Sequence, residues 1–120
     1  MQGIVPIPAV WDVVRVPFPY ADRPVRQRRP ALVIAAPGVQ AQLGLLWVLM
    51  ITSADNRGWP GDVALADLPV TGLPAPSLVR TEKMACVDAR DADRIGRLPE
   101  AERYAVTAQL RRHLAGAGWP

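Results

Sequence analysis

The sequence has only one cysteine, Cys86, and only one histidine, His113. A single cysteine cannot form a disulfide within the chain, so we expect a protein of a reducing compartment. One cysteine and one histidine also fall short of the ligand set that a zinc site takes from such side chains. These scarcities argue against a disulfide scaffold and against a zinc enzyme, and we expect neither a metal nor another cofactor.

The sequence also lacks a long hydrophobic run and a recognisable secretory signal. The longest apolar stretch, residues 43–51, is far shorter than the roughly 20 residues that a membrane-spanning helix needs. Residues 1–10 contain two prolines and no basic residue, unlike the start of a signal peptide. We therefore expect a soluble, cytoplasmic protein.

Lysine is scarce and arginine is abundant. Of the 14 basic residues only Lys83 is a lysine, the formal net charge is +3, and the sequence pI is about 9.8. A mildly basic surface attracts nucleic acid or an acidic protein partner, and the charge alone leaves both open. Guanidinium groups stay ionised and match phosphate oxygens in fork geometry, so arginine favours a phosphate-bearing ligand.

The apolar pattern predicts a mainly β fold in a chain of 120 residues, which we interpret as a single domain with residues 1–10 as a loose leader. Thirteen prolines and nine glycines lie mostly between short apolar runs, as in strands joined by tight turns. The predicted strands are residues 11–18, 30–36, 45–52, 62–66, 77–81, 83–87 and 94–98. A helix should follow at about 99–115, opening with Pro99 and ending near Gly116. Many short strands and one terminal helix predict a small, strongly bent antiparallel sheet or barrel.

Two predictions about the core follow from these elements. Residues 45–52 form a near-continuous apolar run, which predicts a central strand buried on both faces, with Trp47 in the core. Val106, Leu110 and Leu114 recur at helical spacing and should form the buried face of the helix.

The first two predicted strands contain an Asp-led strand, a Pro-Phe-Pro-type segment and an Arg-Pro pair before a second apolar strand. With later segments they make a set of short motifs in a fixed order: 12–14 (DVV), 16–19 (VPFP), 29–34 (RPALVI), 51–53 (ITS), 72–73 (GL), 77–80 (SLVR) and 95–98 (IGRL). In these motifs the chain resembles the MazF/PemK (Kid-like) toxins of bacterial type II toxin–antitoxin systems. The resemblance spans roughly residues 11–115 and departs from the family where Trp11 stands in place of the usual glycine. It implies an SH3-like β-barrel with an added C-terminal helix.

The resemblance also implies an activity and partners. It predicts a metal-independent endoribonuclease that cleaves single-stranded RNA at a short sequence, leaving 2′,3′-cyclic phosphate and 5′-hydroxyl ends. It further implies a homodimer, with RNA across the interface, and a cognate antitoxin whose acidic, partly disordered tail folds onto the same basic surface.

Two catalytic residues are implied by position in the family motifs. Arg29 occupies the Arg-Pro position and would stabilise the negative charge that builds on the phosphate, or donate a proton to the leaving oxygen. Thr52 occupies the strand-end threonine position and would donate to a phosphate oxygen or orient the attacking group. The ordinary alternatives are a surface ion pair between Arg29 and Asp22, and a β-branched residue that suits a strand end.

Further residues are candidates for holding the RNA. Arginines before and within the first loop would contact flanking phosphates, and the tryptophan of the Gly/Pro-rich loop would stack on a base. The candidates are Arg15, Arg23, Arg26, Arg28, Ser53 and Trp59. Solubility of a half-polar sheet explains the arginines equally well, and packing explains the tryptophan. Ser77 and Arg80 are interpreted as structural or interface residues.

The general base is not identified by the sequence. Some family members carry an acid in the first loop, where this chain has Val-Arg-Gln-Arg at residues 25–28. Asp22 is the only acid of that loop and also suits a turn. His113 has a suitable intrinsic pKa but falls in the last helical turn, where a solvated or dipole-capping role is expected.

Two other functions are compatible with the same fold. A CcdB-like protein poisons DNA gyrase without cutting RNA, through a C-terminal tryptophan such as Trp119. A catalytically silent paralogue would bind RNA or an antitoxin only. Loss of gyrase inhibition on truncation at Trp119 would indicate the first. RNA binding without cleavage, at equal affinity in the wild type and Arg29→Ala, would indicate the second.

Overall fold

The computed structural model describes residues 7–18, 27–37 and 44–120. Within these ranges the strands are β1 (Asp12–Phe18), β2 (Gln27–Ala35), β3 (Leu45–Ser53), β4 (Val63–Leu65), β5 (Ser77–Asp88) and β6 (Asp93–Arg97). The helices are α1 (Leu68–Thr71), a 3-10 turn (Ala89–Asp91) and α2 (Glu100–Gly116). Strand β2 begins earlier than predicted because Gln27 and Arg28 pair with Phe18 and Pro17 of β1 instead of forming a loop.

The six strands form one antiparallel sheet in the order β4-β5-β3-β2-β1-β6. The sheet curls into a half-barrel, and α2 follows the last strand. This architecture confirms the predicted SH3-like antiparallel barrel with a C-terminal helix.

Apolar residues are buried on both faces of the sheet. One cluster contains Leu32, Leu49 and Ile51 and is joined by Val106 of α2. The other contains Val14, Val16, Ala31, Val33, Leu46, Val48 and Met50. Residues 48–51 of β3 are buried on both sides, as the sequence predicted.

The prediction that Trp47 lies in the core is wrong. Its side chain is 45% exposed. Trp47 pairs with Ala35 on β2 and with Cys86 on β5. Both neighbours are small and Cys86 is itself exposed, so neither covers the indole ring.

Strand β5 is one long strand with a bulge, instead of the two strands predicted around Glu82. Leu49 pairs with Met84, whereas the next residue, Met50, pairs with Arg80. Residues 81–83 are therefore extra in β5, and the local bend that they cause lies where the sequence predicted it.

The short helix α1, which the sequence did not reveal, packs against the edge strand β6. Asp67 caps it, and Gly72 ends it in a left-handed conformation with a φ of 72°. A Cβ atom at Gly72 would lie 1.9 Å from the carbonyl oxygen of Ile95, and one at Gly96 would lie 2.2 Å from that of Thr71. The two glycines of the family-like motifs thus permit the backbones of α1 and β6 to touch.

Helix α2 contacts β4 and β5. Val106 is fully buried, and Leu110 packs against the first core cluster. Leu114 is 44% exposed, so the predicted buried stripe stops one turn early. In the parts of the chain that the structure describes, no helix has the length and hydrophobicity needed to cross a membrane.

Candidate active site

Arg29 and Thr52 lie on neighbouring strands at the same end of the β2–β3 ladder. The ladder ends with Ala31 paired to Met50, and Arg29 and Thr52 each lie two residues beyond that pair. Side chains alternate between faces along a strand, so Arg29 shares the face of Ala31, and Thr52 shares that of Met50. Ala31 and Met50 belong to the same core cluster, so Arg29 and Thr52 lie on one face of the sheet.

Arg29 is held partly buried in this position. It pairs with Val16 of β1, and its Nη2 donates to Gln27 Oε1 at 3.2 Å. A guanidinium fixed on a strand, rather than on a loop, presents its charge in one place.

Thr52 lies near the end of β3, and its hydroxyl accepts a hydrogen bond from a side chain of the β3–β4 loop. Asn56 Nδ2 donates to Thr52 Oγ1 at 2.5 Å. The loop is shaped by Ser53, whose hydroxyl accepts from the backbone N–H of Asp55 at 3.2 Å and whose carbonyl accepts from that of Asn56 at 3.1 Å. Sequence reasoning missed Asn56, for which the only signal was the run of turn-forming residues after the strand.

Ser53 lies on the opposite face of the sheet from Thr52. It pairs with Ser77 of β5 and is exposed. Its hydroxyl therefore stabilises the turn and does not join the Arg29–Thr52 pair.

A buried ion pair holds the far end of the β3–β4 loop. Arg80 Nη1 lies 3.4 Å from Asp62 Oδ2, and each side chain is only 8% exposed. Arg80 Nη2 also donates to the carbonyl of Arg57 at 2.8 Å. Arg80 pairs with Met50, so it belongs to the face that carries Thr52. These contacts give Arg80 the structural role that the sequence predicted.

Trp59 rests on this ion pair. The Arg80 guanidinium carbon lies 4.2 Å from the centroid of the indole ring, and the backbone N–H of Trp59 donates to Asp62 Oδ2 at 2.8 Å. The ring remains 42% exposed. A cation–π contact with Arg80 thus holds the ring in position, while part of its surface remains exposed to solvent.

Arg15 and Arg28 lie on the other face of the sheet. Arg28 forms an ion pair with Asp93 and donates to the carbonyls of Arg15, at 3.0 Å, and Asp91, at 3.1 Å. Arg28 therefore ties β2 to β1 and β6 and is separated from Arg29 by the sheet itself. Arg23, Arg26 and Asp22 lie outside the described residues.

His113 anchors α2 through its side chain, so the solvated role that the sequence offered as one alternative is wrong; as expected, it is the basic residue of the last turn of α2. Its Nε2 lies 2.8 Å from Thr81 Oγ1, which in turn donates to the carbonyl of Gly61 at 2.7 Å. Its Nδ1 lies 3.6 Å from Glu82 Oε1. The imidazole joins α2 to the bulge of β5 and to the end of the β3–β4 loop.

Two further observations concern a possible metal site and the C-terminal tryptophan. In the described ranges, no group of three or more His, Cys, Asp or Glu side chains is placed to hold a metal ion. Trp119 is 69% exposed in the turn that follows α2, where its backbone N–H donates to the carbonyl of Leu114 at 2.9 Å.

Comparison with solved structures finds the same fold in MazF proteins. MazF (Form-I) from Deinococcus radiodurans is 26% identical, with a TM-score of 0.73 over 92% of this chain and 99% of that chain. The MazE–MazF complex (Form-II) from the same organism is 25% identical, with a TM-score of 0.70 over 92% and 97%. An endoribonuclease in complex with its cognate antitoxin, from a mycobacterial species, is 18% identical and shows the fold alone, with a TM-score of 0.68 over 94% and 99%.

At the level of sequence, no curated protein matches this chain, but a family model does. The family model described as "PemK-like, MazF-like toxin of type II toxin-antitoxin system" matches residues 9–114, nearly the whole chain. The chain therefore belongs to the PemK-like, MazF-like family of type II toxin–antitoxin toxins.

Proposed function

We propose that the protein is a metal-independent endoribonuclease that cuts single-stranded RNA at a short sequence. The observation that carries this proposal is the placement of Arg29 and Thr52 on one face of the sheet, each two residues beyond the Ala31–Met50 pair of β2 and β3. A fixed cation and a hydroxyl on the same face suit a phosphodiester, which needs donors for its non-bridging oxygens.

The proposed reaction needs no metal ion. The 2′-hydroxyl of the RNA loses its proton and attacks the adjacent phosphorus in line, and the 5′ oxygen leaves with a proton. The products are a 2′,3′-cyclic phosphate and a 5′-hydroxyl end. Arg29 stabilises the charge that builds on the phosphate oxygens, an effect that reaches about 3 kcal/mol for a single well-placed donor. The Thr52 hydroxyl donates a hydrogen bond to one of the same oxygens. The group that removes the 2′ proton is left unassigned.

RNA contacts beyond the scissile phosphate are proposed for both faces. Trp59, supported by Arg80, offers an exposed aromatic surface for stacking of an unstacked base. Arg23 and Arg26 precede Arg29 in sequence and would reach flanking phosphates. Arg15, Arg28 and Ser53 lie on the opposite face, so they contact RNA only if the strand passes around the edge of the sheet.

An antitoxin and a second copy of the chain are the proposed protein partners. Support for the antitoxin comes from the similarity to the MazE–MazF complex of D. radiodurans. An acidic antitoxin segment would compete with RNA for the cationic face. The homodimer rests on the family resemblance, and the RNA target implies action in the cytoplasm.

The proposal is tested by incubating the purified protein with a long single-stranded RNA in EDTA and mapping the new ends. We expect discrete cuts with 5′-hydroxyl ends for the wild type, and none for Arg29→Ala. Arg111→Ala, which removes an exposed arginine of α2, is the matched control and should cut like the wild type. Intact RNA with the wild type would overturn the proposal, and a supercoiling assay with a Trp119 truncation would then test gyrase poisoning.

A further inference from the structure

The β3–β4 loop directs one side chain at the proposed reacting hydroxyl. Asn56 Nδ2 donates to Thr52 Oγ1 at 2.5 Å. We propose that Asn56 is a positioning residue that sets the direction in which Thr52 offers its proton. This inference rests on the proposed function, since it concerns how the same site presents a donor to phosphate.

The donors and acceptors of the two side chains limit where the Thr52 hydroxyl proton can point. A threonine hydroxyl has one proton and two lone pairs, whereas an amide NH₂ group can only donate. When Asn56 occupies a lone pair of Thr52, the hydroxyl proton must point elsewhere. The acceptor available on the face shared with Arg29 is the phosphate of the bound RNA. Without the amide, the hydroxyl is free to rotate and to donate to a nearby backbone carbonyl instead.

The loop holds Asn56 from both sides. Before it, the backbone N–H groups of Asp55 and Asn56 bond the side chain and the carbonyl of Ser53. After it, the carbonyl of Arg57 accepts from the buried Arg80. An amide fixed in this way keeps its donor in place before RNA binds, so no reorganisation is needed during the reaction.

The amide also strengthens the donor that it orients. A hydroxyl that accepts one hydrogen bond becomes a better donor in a second, because linked hydrogen bonds polarise one another. Asn56 should therefore affect the chemical step more than the binding of RNA.

The test compares Asn56→Ala and Asn56→Asp with the wild type in single-turnover RNA cleavage. For Asn56→Ala we expect the cleavage rate at saturating enzyme to fall about tenfold, the equivalent of one lost hydrogen bond, with RNA affinity nearly unchanged. Asn56→Asp keeps the size of the side chain and the backbone contact but replaces the donor with an acceptor. The Thr52 hydroxyl should then donate its hydrogen bond to the carboxylate, and the cleavage rate should fall further than in Asn56→Ala. The rate of Asn56→Asp relative to the wild type should recover as the pH falls from about 5 to about 3, because an aspartate with an ordinary pKa of about 3.9 becomes protonated in that range and donates again.

A double-mutant cycle decides whether Asn56 acts through Thr52. In a Thr52→Ala background, Asn56→Ala should cause no further loss. Asp55→Ala is the matched control, since Asp55 contributes its backbone N–H and not its side chain to the turn, and it should cleave like the wild type. Thermal unfolding of every variant checks that the fold is kept.

The outcomes separate this inference from the proposed function. If the wild type leaves RNA intact, both fail. If the wild type cleaves and Thr52→Ala is impaired, but Asn56→Ala cleaves normally, the function stands and the role of Asn56 is overturned. An equal loss from Asn56→Ala in both backgrounds would overturn it as well, since Asn56 would then act independently of Thr52.

Discussion

The two faces of the sheet carry the same residue types in different settings. On one face, Arg29 and Thr52 lie on the neighbouring strands β2 and β3. On the other, their sequence neighbours Arg28 and Ser53 hold an edge strand and a turn. The alternation of a β-strand thus separates adjacent residues of the same chemical kind into different roles.

The same contrast applies to one arginine–carboxylate pair from each face. Arg80 and Asp62, on the face of Thr52, have side chains that are each only 8% exposed. Arg28 and Asp93, on the other face, have side chains that are 45% and 74% exposed. Burial, rather than the presence of an ion pair, decides how much each pair contributes.

The largest expected effect comes from comparing Arg29→Ala with Arg28→Ala. Removing a charge that contacts the reacting phosphate should lower the cleavage rate by about 10²–10³-fold. Removing Arg28 should change it by no more than about threefold, because the lost interactions are those of an exposed pair. Single-turnover cleavage of one RNA substrate measures both. Equal losses would mean that the faces do not differ in function.

The next effect concerns stability. Asp62→Ala leaves the Arg80 guanidinium buried without its carboxylate partner, and we expect the free energy of unfolding to fall by about 3 kcal/mol. Asp93→Ala removes an exposed partner and should cost at most about 1 kcal/mol. Urea unfolding curves measure the difference, and a larger loss for Asp93→Ala would reverse the comparison.

A smaller effect is expected from Thr52→Ala against Ser53→Ala. The loss of one neutral donor to phosphate should slow cleavage by about tenfold. The Ser53 hydroxyl lies on the other face, so Ser53→Ala should keep the wild-type rate once the protein is folded. Cleavage rates normalised to folded protein, as judged by circular dichroism, provide the measurement.

The smallest effect, on stability, is expected at Asp88, the last residue of β5. Side-chain and backbone hydrogen bonds from Arg90 hold the pKa of Asp88 below its usual value. A lowered folded-state pKa means that the stabilisation is present above the unfolded pKa and is lost as the pH falls through the folded pKa. Asp88→Asn should therefore lower the unfolding midpoint slightly at neutral pH. The difference from the wild type should disappear in acid, and a difference that grows on acidification would contradict this sign.

Sequence patterns predicted the local structure well because alternation and helix caps act over a few residues. Val14 and Val16 fall on one face of β1, and α2 begins directly after Pro99, as expected. Burial of residues 48–51 also follows from the apolar run. These features depend on neighbours in the chain.

Contacts between distant segments could not be predicted in this way. The exposure of Trp47 depends on which residues of β2 and β5 flank it. The Arg80–Asp62 pair depends on the bulge in β5, and no periodicity places Asn56 against Thr52. For Arg29 and Thr52, the family resemblance supplied the pairing that the pattern of apolar residues could not.

The most direct test is cleavage in EDTA by four alanine variants, with mapping of 5′-hydroxyl ends. Arg29→Ala and Thr52→Ala change one face, and Arg28→Ala and Ser53→Ala change the other. We predict that the first two cleave more slowly than the wild type, Arg29→Ala by a larger factor than Thr52→Ala, while the other two cut at the wild-type sites at close to the wild-type rate. Full cleavage by folded Arg29→Ala, or equal loss in all four, would contradict the assignment of the active site.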